Sequence, residues 1–582
     1  MTSFALALLL AQAATPAAVP PDSASDHRRA VEAQAAFERT RAWHAPLSWW
    51  SGGSSCDERI GRFCLRFGTD DPDEDRPSWT PPDEAPEVVE ARTEFMSLLA
   101  EVAGRFPGNG WVAGQRVAYL GEIGAWESAL AAAQACRAEE WWCDALLGHA
   151  LHGSGRIAEA EDAFARVEPH LGPDDLALWS DPVFLGSLEL MQEERRLSEA
   201  DRALFRERIW RLADPLFLLE GNVLRSEHRA RWVLAQVRAE SRNGHGLPWG
   251  RDLRELLLRY GPVVAYERVH EVGGVYTGPP PTIGRYSPDA WHLIPSLEAI
   301  LDPGGSGSDD WRTDRRQARS RHTPPQAPRL RAMEVQTARF RRGDDLLALA
   351  AWELATPPDS GVSARGAFLL DTLALEPRPQ TLVDIEDHRG VVLARAPAGG
   401  YLLSIEALDA AGTGGWRHRE GVRIAPPLPG MLLVSDLLLL EPDARGTPEE
   451  ASLEEVAPRA RRSTQLPPGP VEVAWELYGV PPGGMVLGYR LRAERTDRGL
   501  LRRAGEALRL VPAPAPIELR WEEGTPVGRA SPDEPLLRTV VLDFSGLESG
   551  DYLLTLSVDG PGRRPVVSER NLRVEPERMD GR

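Results

Sequence analysis

Lysine is absent from all 582 residues, so each of the 67 basic side chains is an arginine. That excludes a Walker-type phosphate loop and a Schiff-base mechanism, both of which need a lysine amine. The 87 acidic residues outnumber these arginines and leave a net charge of -20. A protein built on phosphate-backbone contacts needs a concentrated positive face, so nucleic acid is not an expected partner. Long apolar runs are missing too: beyond the first residues nothing reaches the ~20 residues that span a bilayer, and no transmembrane span is expected. Neither the G-x-S-x-G elbow of serine hydrolases nor the H-E-x-x-H zinc helix occurs; Gly304-Gly305-Ser306-Gly307-Ser308 fails at its last position and His270-Glu271 continues Val-Gly-Gly.

What is present points to export. Residues 1–13, MTSFALALLLAQA, carry an apolar run from Phe4 to Leu10 and end in Ala11-Gln12-Ala13, the small-x-small pattern of a signal peptide. The expected address is the periplasm or the outer membrane's surface. The four cysteines form two close pairs, Cys56 with Cys64 and Cys136 with Cys143, which suit two local disulfides in an oxidising compartment. Free buried thiols, a metal and the cross-pairings stay open, although neither pair has C-x2-C spacing.

A single core stops growing at about 250–300 residues, so several domains are expected, α-helical first and β after. A Pro/Asp-rich arm covers 14–87, holding the Cys56/Cys64 loop and one helical stretch from Arg29 to Trp43. Phe95, Leu98, Leu99, Val102 and Phe106 then recur at intervals of three and four, the mark of one buried helix face. The run from Gly124 to Leu130 matches that from Gly155 to Glu161 at a spacing of 31 residues. Each copy follows an aromatic-led helix, and the pattern is similar to tetratricopeptide repeats. Residues 88–180 are therefore read as helical repeats, offering a concave partner surface that includes Trp111, Tyr119, Trp126, Trp141 and Trp142. Residues 181–300 read as a mainly helical module in which Ser198 starts a helix with Leu204, Phe205, Ile209 and Leu212 on its apolar face. The Gly/Ser/Pro-rich stretch 301–328 reads as a linker. Beyond it, short apolar runs between Pro/Gly turns predict two antiparallel β-sandwiches, at 329–440 and 470–577, divided by a second linker at 441–469.

One segment resembles a known family. Leu212-Ala213-Asp214-Pro215, then Asn222, Arg225, Glu227 and Arg229, then Trp249-Gly250-Arg251-Asp252 and Tyr260-Gly261-Pro262 follow the order seen in exported bacterial proteins named for a G-W-x-T-D motif. Pro248 and Arg251 stand where that motif has Gly and Thr. A literal W-x-T-D at Trp311 to Asp314 lacks the Tyr-Gly-Pro element after it. The resemblance implies an envelope protein with a β-rich tail and brings no chemistry with it. In physical terms Asp214, Asn222, Arg225 and Glu227 suit a structural polar network, and Asp252 a helix cap.

Candidate chemistry is sparse. His149 and His152 stand three apart on a helix without a further ligand at a regular interval, and are expected on a solvated surface. Glu267-x-x-His270 copies half of a di-iron motif that needs a second copy. The 18 tryptophans, with Trp49-Trp50 and Trp141-Trp142 adjacent, allow glycan or peptide contacts. No metal, cofactor or catalytic residue is assigned. The leading expectation is a non-enzymatic exported envelope scaffold that binds partner proteins or peptides through its helical repeats. A glycan or cell-wall binding protein using sandwich aromatics is the alternative, and an unrecognised hydrolase the third reading.

Overall fold

The computed structural model describes residues 23–576 apart from 51–55, 57, 66–79, 272–280, 288–289, 312–318, 373, 387, 427–429, 449, 482, 498–516 and 528–533. The expected export signal lies outside the described residues. The order is α then β: thirteen α-helices are described, eleven of them before residue 261, and the sheets that follow do not close into a barrel. Among the described residues no helix is long and apolar enough to cross a membrane.

The helical half begins with α1 (Ser23–His44) and α2 (Pro86–Arg105). Phe95, Leu99 and Val102 of α2 are buried against Phe37 of α1, as their spacing predicts. Two helix pairs follow, α3 (Gly110–Glu122) with α4 (Trp126–Gln134), and α5 (Glu140–Gly153) with α6 (Ile157–Val167). Their turns are the same device used twice. Gly124 and Gly155 sit at φ 72° and 77°, where a side chain is strained, and in each turn the next residue's N–H closes on a carbonyl five residues back at 2.9 Å, Ala125 on Leu120 and Arg156 on Leu151. The Cys136–Cys143 disulfide joins the end of α4 to α5 across a Cα separation of 5.6 Å.

Then come α7 (Pro173–Ser180), α8 (Leu188–Arg196), α9 (Glu199–Ala213), α10 (Val223–Ala239) and α11 (Arg251–Tyr260). Ser198 caps α9 as expected, but Leu204 points outward at 72% exposure, leaving Phe205, Ile209 and Leu212 to bury the helix. In α10, twelve of seventeen residues are buried, because it shares one core with the helix pairs. Gln115 on α3 donates to the Val237 carbonyl at 3.0 Å, and His149 Nδ1 on α5 lies 3.1 Å from the Ala230 carbonyl. His152 pairs with Ser226 Oγ at 3.0 Å. Both histidines are thus buried beneath α10, not solvated as the sequence suggested.

The arm adds β1 (Leu47–Trp50) and a hairpin, β2 (Glu58–Ile60) with β3 (Phe63–Leu65), closed by the Cys56–Cys64 disulfide. Strand β1 pairs in parallel with β4 (Ala265–Glu271), which pairs with β5 (Thr282–Arg285).

The β half contains two sheet pairs. In the first, β6 (Arg329–Ala332), β9 (Val362–Asp371), β10 (Pro377–Gln380), β13 (Gly399–Asp409) and β14 (Gly414–Ile424) form one sheet. The facing sheet contains β7 (Glu334–Arg342), β8 (Asp345–Glu353), β11 (Leu382–Glu386) and β12 (Arg389–Ala396). Alternate residues of β8, Leu346, Ala348, Ala350 and Trp352, share a core with Leu403 and Ile405 of β13. The other face of β8, Leu347, Leu349 and Ala351, is buried against the second sheet pair. That double burial is why the strand reads as a continuous apolar run.

In the second pair, β18 (Pro470–Tyr478) joins β15 (Leu433–Val434), β16 (Leu438–Leu440) and β21 (Leu536–Asp543). These face a sheet of β17 (Gln465–Leu466), β19 (Val486–Arg495), β20 (Ile517–Gly524), β22 (Gly550–Asp559) and β23 (Val566–Val574) across a core containing Trp475, Tyr489 and Leu556.

Neither expected linker is free over its described residues. In 301–328, Pro303, Gly304, Trp311 and Ala327 are buried, beyond α12 (Leu297–Leu301). In 441–469, Leu453 and Val456 of α13 (Leu453–Val456) fill the seam between the sheet pairs. The boundary also moves: β15 and β16, assigned by composition to the first β unit, belong to the second.

Candidate functional site

The described residues enclose a cavity of about 580 Å³ where the arm, the helix pairs and the motif-bearing module meet. One wall is polar. Glu122, in the last turn of α3, accepts from Arg238 of α10 at 2.9 Å and pairs with Arg41 of α1, while Arg92 of α2 stands 3.7 Å away. Glu38 lies behind it, accepting from the Tyr119 hydroxyl at 2.5 Å and flanked by Arg238 at 3.6 Å and Arg41 at 3.7 Å. Burial alone would raise the Glu122 carboxyl, but Arg41, Arg238 and Arg92 together hold it below its ordinary value. Burial opposes the charge on Arg41 as well, and Glu122 and Glu38 outweigh it, raising that guanidinium.

The other walls are apolar and aromatic: Val88, Trp126, Leu234, Trp249, Leu253 and Leu257 line them. Trp126 is seated on glycine, since a Cβ at Gly121 would fall 2.6 Å from its ring and one at Gly153 would collide with it. His149 meets Trp126 edge-on at 5.8 Å, and burial drives its imidazole down to about 4, so it faces the cavity uncharged. Burial likewise lowers His245, whose Nδ1 lies 3.3 Å from the Thr282 carbonyl.

Trp249, Gly261 and Pro262, singled out by the family resemblance, line this cavity. Asp252 and Tyr260 instead hold the disulfide hairpin beside it. Tyr260 donates to Glu58 at 2.7 Å and Asp252 accepts from Arg62. Asp252 is therefore a tether between segments, and it also accepts from the Leu253 N–H at 2.9 Å in the first turn of α11, whose N-cap position is held by Gly250 without a side chain.

Asp214, Asn222 and Arg225 are brought together. Asp214 accepts from the Val223 N–H at 3.2 Å, Asn222 caps α10 through the Arg225 N–H at 2.9 Å, and Arg225 binds Glu161 at 2.8 Å. Glu227 belongs to a different contact, with Arg231 at 2.5 Å and the Thr323 N–H at 3.3 Å. Of the five aromatics expected on a partner surface, Tyr119 is fully buried because its hydroxyl sits between Glu38 and Gln34. Trp142 packs on α3, donating to the Gly110 carbonyl at 2.9 Å. Trp111 and Trp141 are half-buried, bonded to the Glu240 carbonyl and to Glu139. The side chains of Trp49 and Trp50 lie outside the described residues.

Glu267 and His270 lie on strand β4, where residues three apart face opposite sides, and Glu267 is bound by Arg285 and Ser48. No cluster of three metal-ligating side chains is found among the described residues. In the second sheet pair Tyr489 and Trp521 stack at 4.9 Å, but Tyr489 is buried in the core, so the pair presents no open stacking face.

The arginines of the cavity were not singled out in the sequence, yet a signal exists. Arg92 precedes Phe95, Leu99 and Val102 at helical spacing and Arg41 follows Phe37 by four, which puts charge on buried helix faces.

No family model matches the chain, and no curated protein matches it. Among solved structures it is similar to the FN1–FN3 domains of chicken CNTN1 at 12% identity, over 43% of this chain and 67% of that one, with a TM-score of 0.13. A DUF4785 family protein from Legionella pneumophila shares 11% identity over 42% of this chain and 56% of its own, with a TM-score of 0.16. A red sea bream transglutaminase shares 11% over 57% and 44%, with a TM-score of 0.15. Likenesses of this size carry no argument about fold or function.

Proposed function

We propose that the chain is a non-catalytic, exported cell-envelope binding protein, residing in the periplasm or at the outer membrane. Its helical half, built on tetratricopeptide-like pairs and a module resembling the GWxTD proteins, holds a ligand or a partner's side chain in the cavity. The two sheet pairs act as β-sandwich spacers. The observation that carries this reading is the cavity itself, which is assembled from three separate parts of the chain and lined by Trp126, Trp249 and Pro262. Its volume lies within the range of about 300–1,000 Å³ usual for small-ligand sites. Because α10 packs against α3 and α5, this reading gives the binding role to the cavity and not to the face of the helix pairs. Binding is favoured over hydrolysis because Arg41, Arg92, Arg238 and Glu122 are engaged in ion pairs, and the buried Ser226–His152 pair lies outside the cavity lining.

Native mass spectrometry of the full chain isolated from an envelope fraction tests this. The expected result is a bound species released on denaturation and missing from Val264→Trp, which fills the mouth from an exposed position. A chain that carries nothing under these conditions would count against the reading.

A further inference from the structure

The cavity's charges do not balance without help from its edge. Arg41, Arg92 and Arg238 supply three positive charges, and the carboxylates fixed among them, Glu38 and Glu122, supply two negative ones. The lining adds two further acids, Asp83 and Glu84, in the irregular segment just ahead of α2; of these it is Glu84 that grips the Arg92 guanidinium with both oxygens. The two partners are unequally placed: the Arg92 side chain is 11% exposed and that of Glu84 is 42% exposed. A buried guanidinium left bare is costly, so Arg92 requires an anion. Glu84 is half in water and can leave more easily than the three-arginine-bound Glu122.

The remainder of the site calls for an apolar body. Trp126, Trp249, Leu253 and Leu257 line the interior, and at the rim Ile123 and Val264 line the cavity while 51% and 43% exposed. Singly exposed apolar residues are ordinary, but two at one opening mark a place where something apolar enters.

We propose that the cavity takes a carboxylate-bearing amphiphile, whose head group binds Arg92 in the place the chain's own Glu84 occupies and whose apolar part lies against Trp126 and Trp249. Glu84 is then an internal competitor that the ligand displaces. This rests on the cavity being a binding site and adds the class of ligand.

Isothermal titration of the full chain with decanoate, decanol and decyltrimethylammonium, each below its micellar concentration, separates the two claims. Decanoate is expected to bind in preference to the other two, against the pull of a net charge of -20. Glu84→Gln should tighten decanoate about tenfold by removing the competing charged contact, and Arg92→Gln should weaken it by at least as much. The Glu84→Gln result is a gain for decanoate alone, whereas a misfolded chain baring apolar surface would gain decanol as well. Decanol or decyltrimethylammonium binding as well as decanoate would overturn the carboxylate assignment and leave the cavity a binding site. An unchanged decanoate affinity in Glu84→Gln would overturn the displacement. Absence of binding by all three would overturn both this proposal and the cavity's role.

Discussion

The Asp252 carboxylate receives three hydrogen bonds from Arg62: from Nε at 2.5 Å, Nη2 at 2.8 Å and the backbone N–H at 3.3 Å. The two residues are 190 positions apart, one in the turn of the disulfide hairpin and the other in the first turn of α11. Arg62's hydrogen bonds hold the carboxyl down to about 2 from an ordinary 3.8.

An acid whose pKa is depressed on folding contributes stability above its ordinary pKa and loses it as pH falls through the folded value. Asp252→Asn should therefore cost about 1 kcal/mol at neutral pH, the size of a half-exposed ion pair. Urea unfolding of both proteins should show that difference vanishing as pH falls from about 4 to about 2. A constant difference down to pH 2 would mean the ion pair contributes nothing.

Asp214 works in the opposite sense. Burial drives its carboxyl up to about 8, and the nearby Arg419 only partly offsets this. A raised acid contributes stability that is complete below its ordinary value of 3.8 and lost as pH rises through the folded value. Asp214→Asn keeps an oxygen for the Val223 N–H and removes the titration. Thermal melts should show a flatter stability profile between about pH 4 and pH 8 than the parent's; parallel profiles would refute the assignment.

Arg419 joins the two halves of the molecule. It has no exposed side-chain surface, donates to the Leu212 and Asp214 carbonyls at 2.8 Å each, and stands 3.4 Å from Glu406, which in turn accepts from the Leu218 N–H at 3.0 Å. Arg419→Met leaves Glu406 and two carbonyls without their charged partner, a loss of about 3–5 kcal/mol. Calorimetry should then resolve separate transitions for the helical and β halves. A single transition at the parent temperature would show that the apolar interface alone holds them.

The Cys136–Cys143 bridge closes a short loop, for which chain-entropy reasoning gives about 2 kcal/mol. The double replacement by serine should lower the urea midpoint accordingly and leave the denaturant slope unchanged. Loss of helix signal before denaturant is added would instead mean that α4 and α5 cannot pair without it.

What the sequence conveyed was set by range. Local patterns were legible: the buried stripe of α2, the Ser198 cap, the twin turns at Gly124 and Gly155, the local cysteine pairs and the change from helical to strand periodicity. Composition misled where tertiary contact overrides it. The glycines of 301–328 resemble a flexible tether, but Gly304 lies so close to the Gly400 backbone that a Cβ there would be 2.8 Å away, and a Cβ on the facing Gly421 would meet the Pro303 carbonyl at 2.5 Å. Close packing, not freedom, requires glycine at these positions. His149 and His152 carried no sign of burial because the helix that covers them is some eighty residues downstream. The cavity was invisible for the same reason, its walls coming from positions between Arg41 and Tyr286.

The covering of the helix pairs by α10 also imposes an order on folding. If the N-terminus emerges first from the ribosome or an export channel, α3 and α5 appear with their inner faces bare and stay so until residue 239 is out. The two early pairs cannot complete their core by stacking on one another, so this half should become protease-resistant in one late step, with the first helices dependent on chaperones until then.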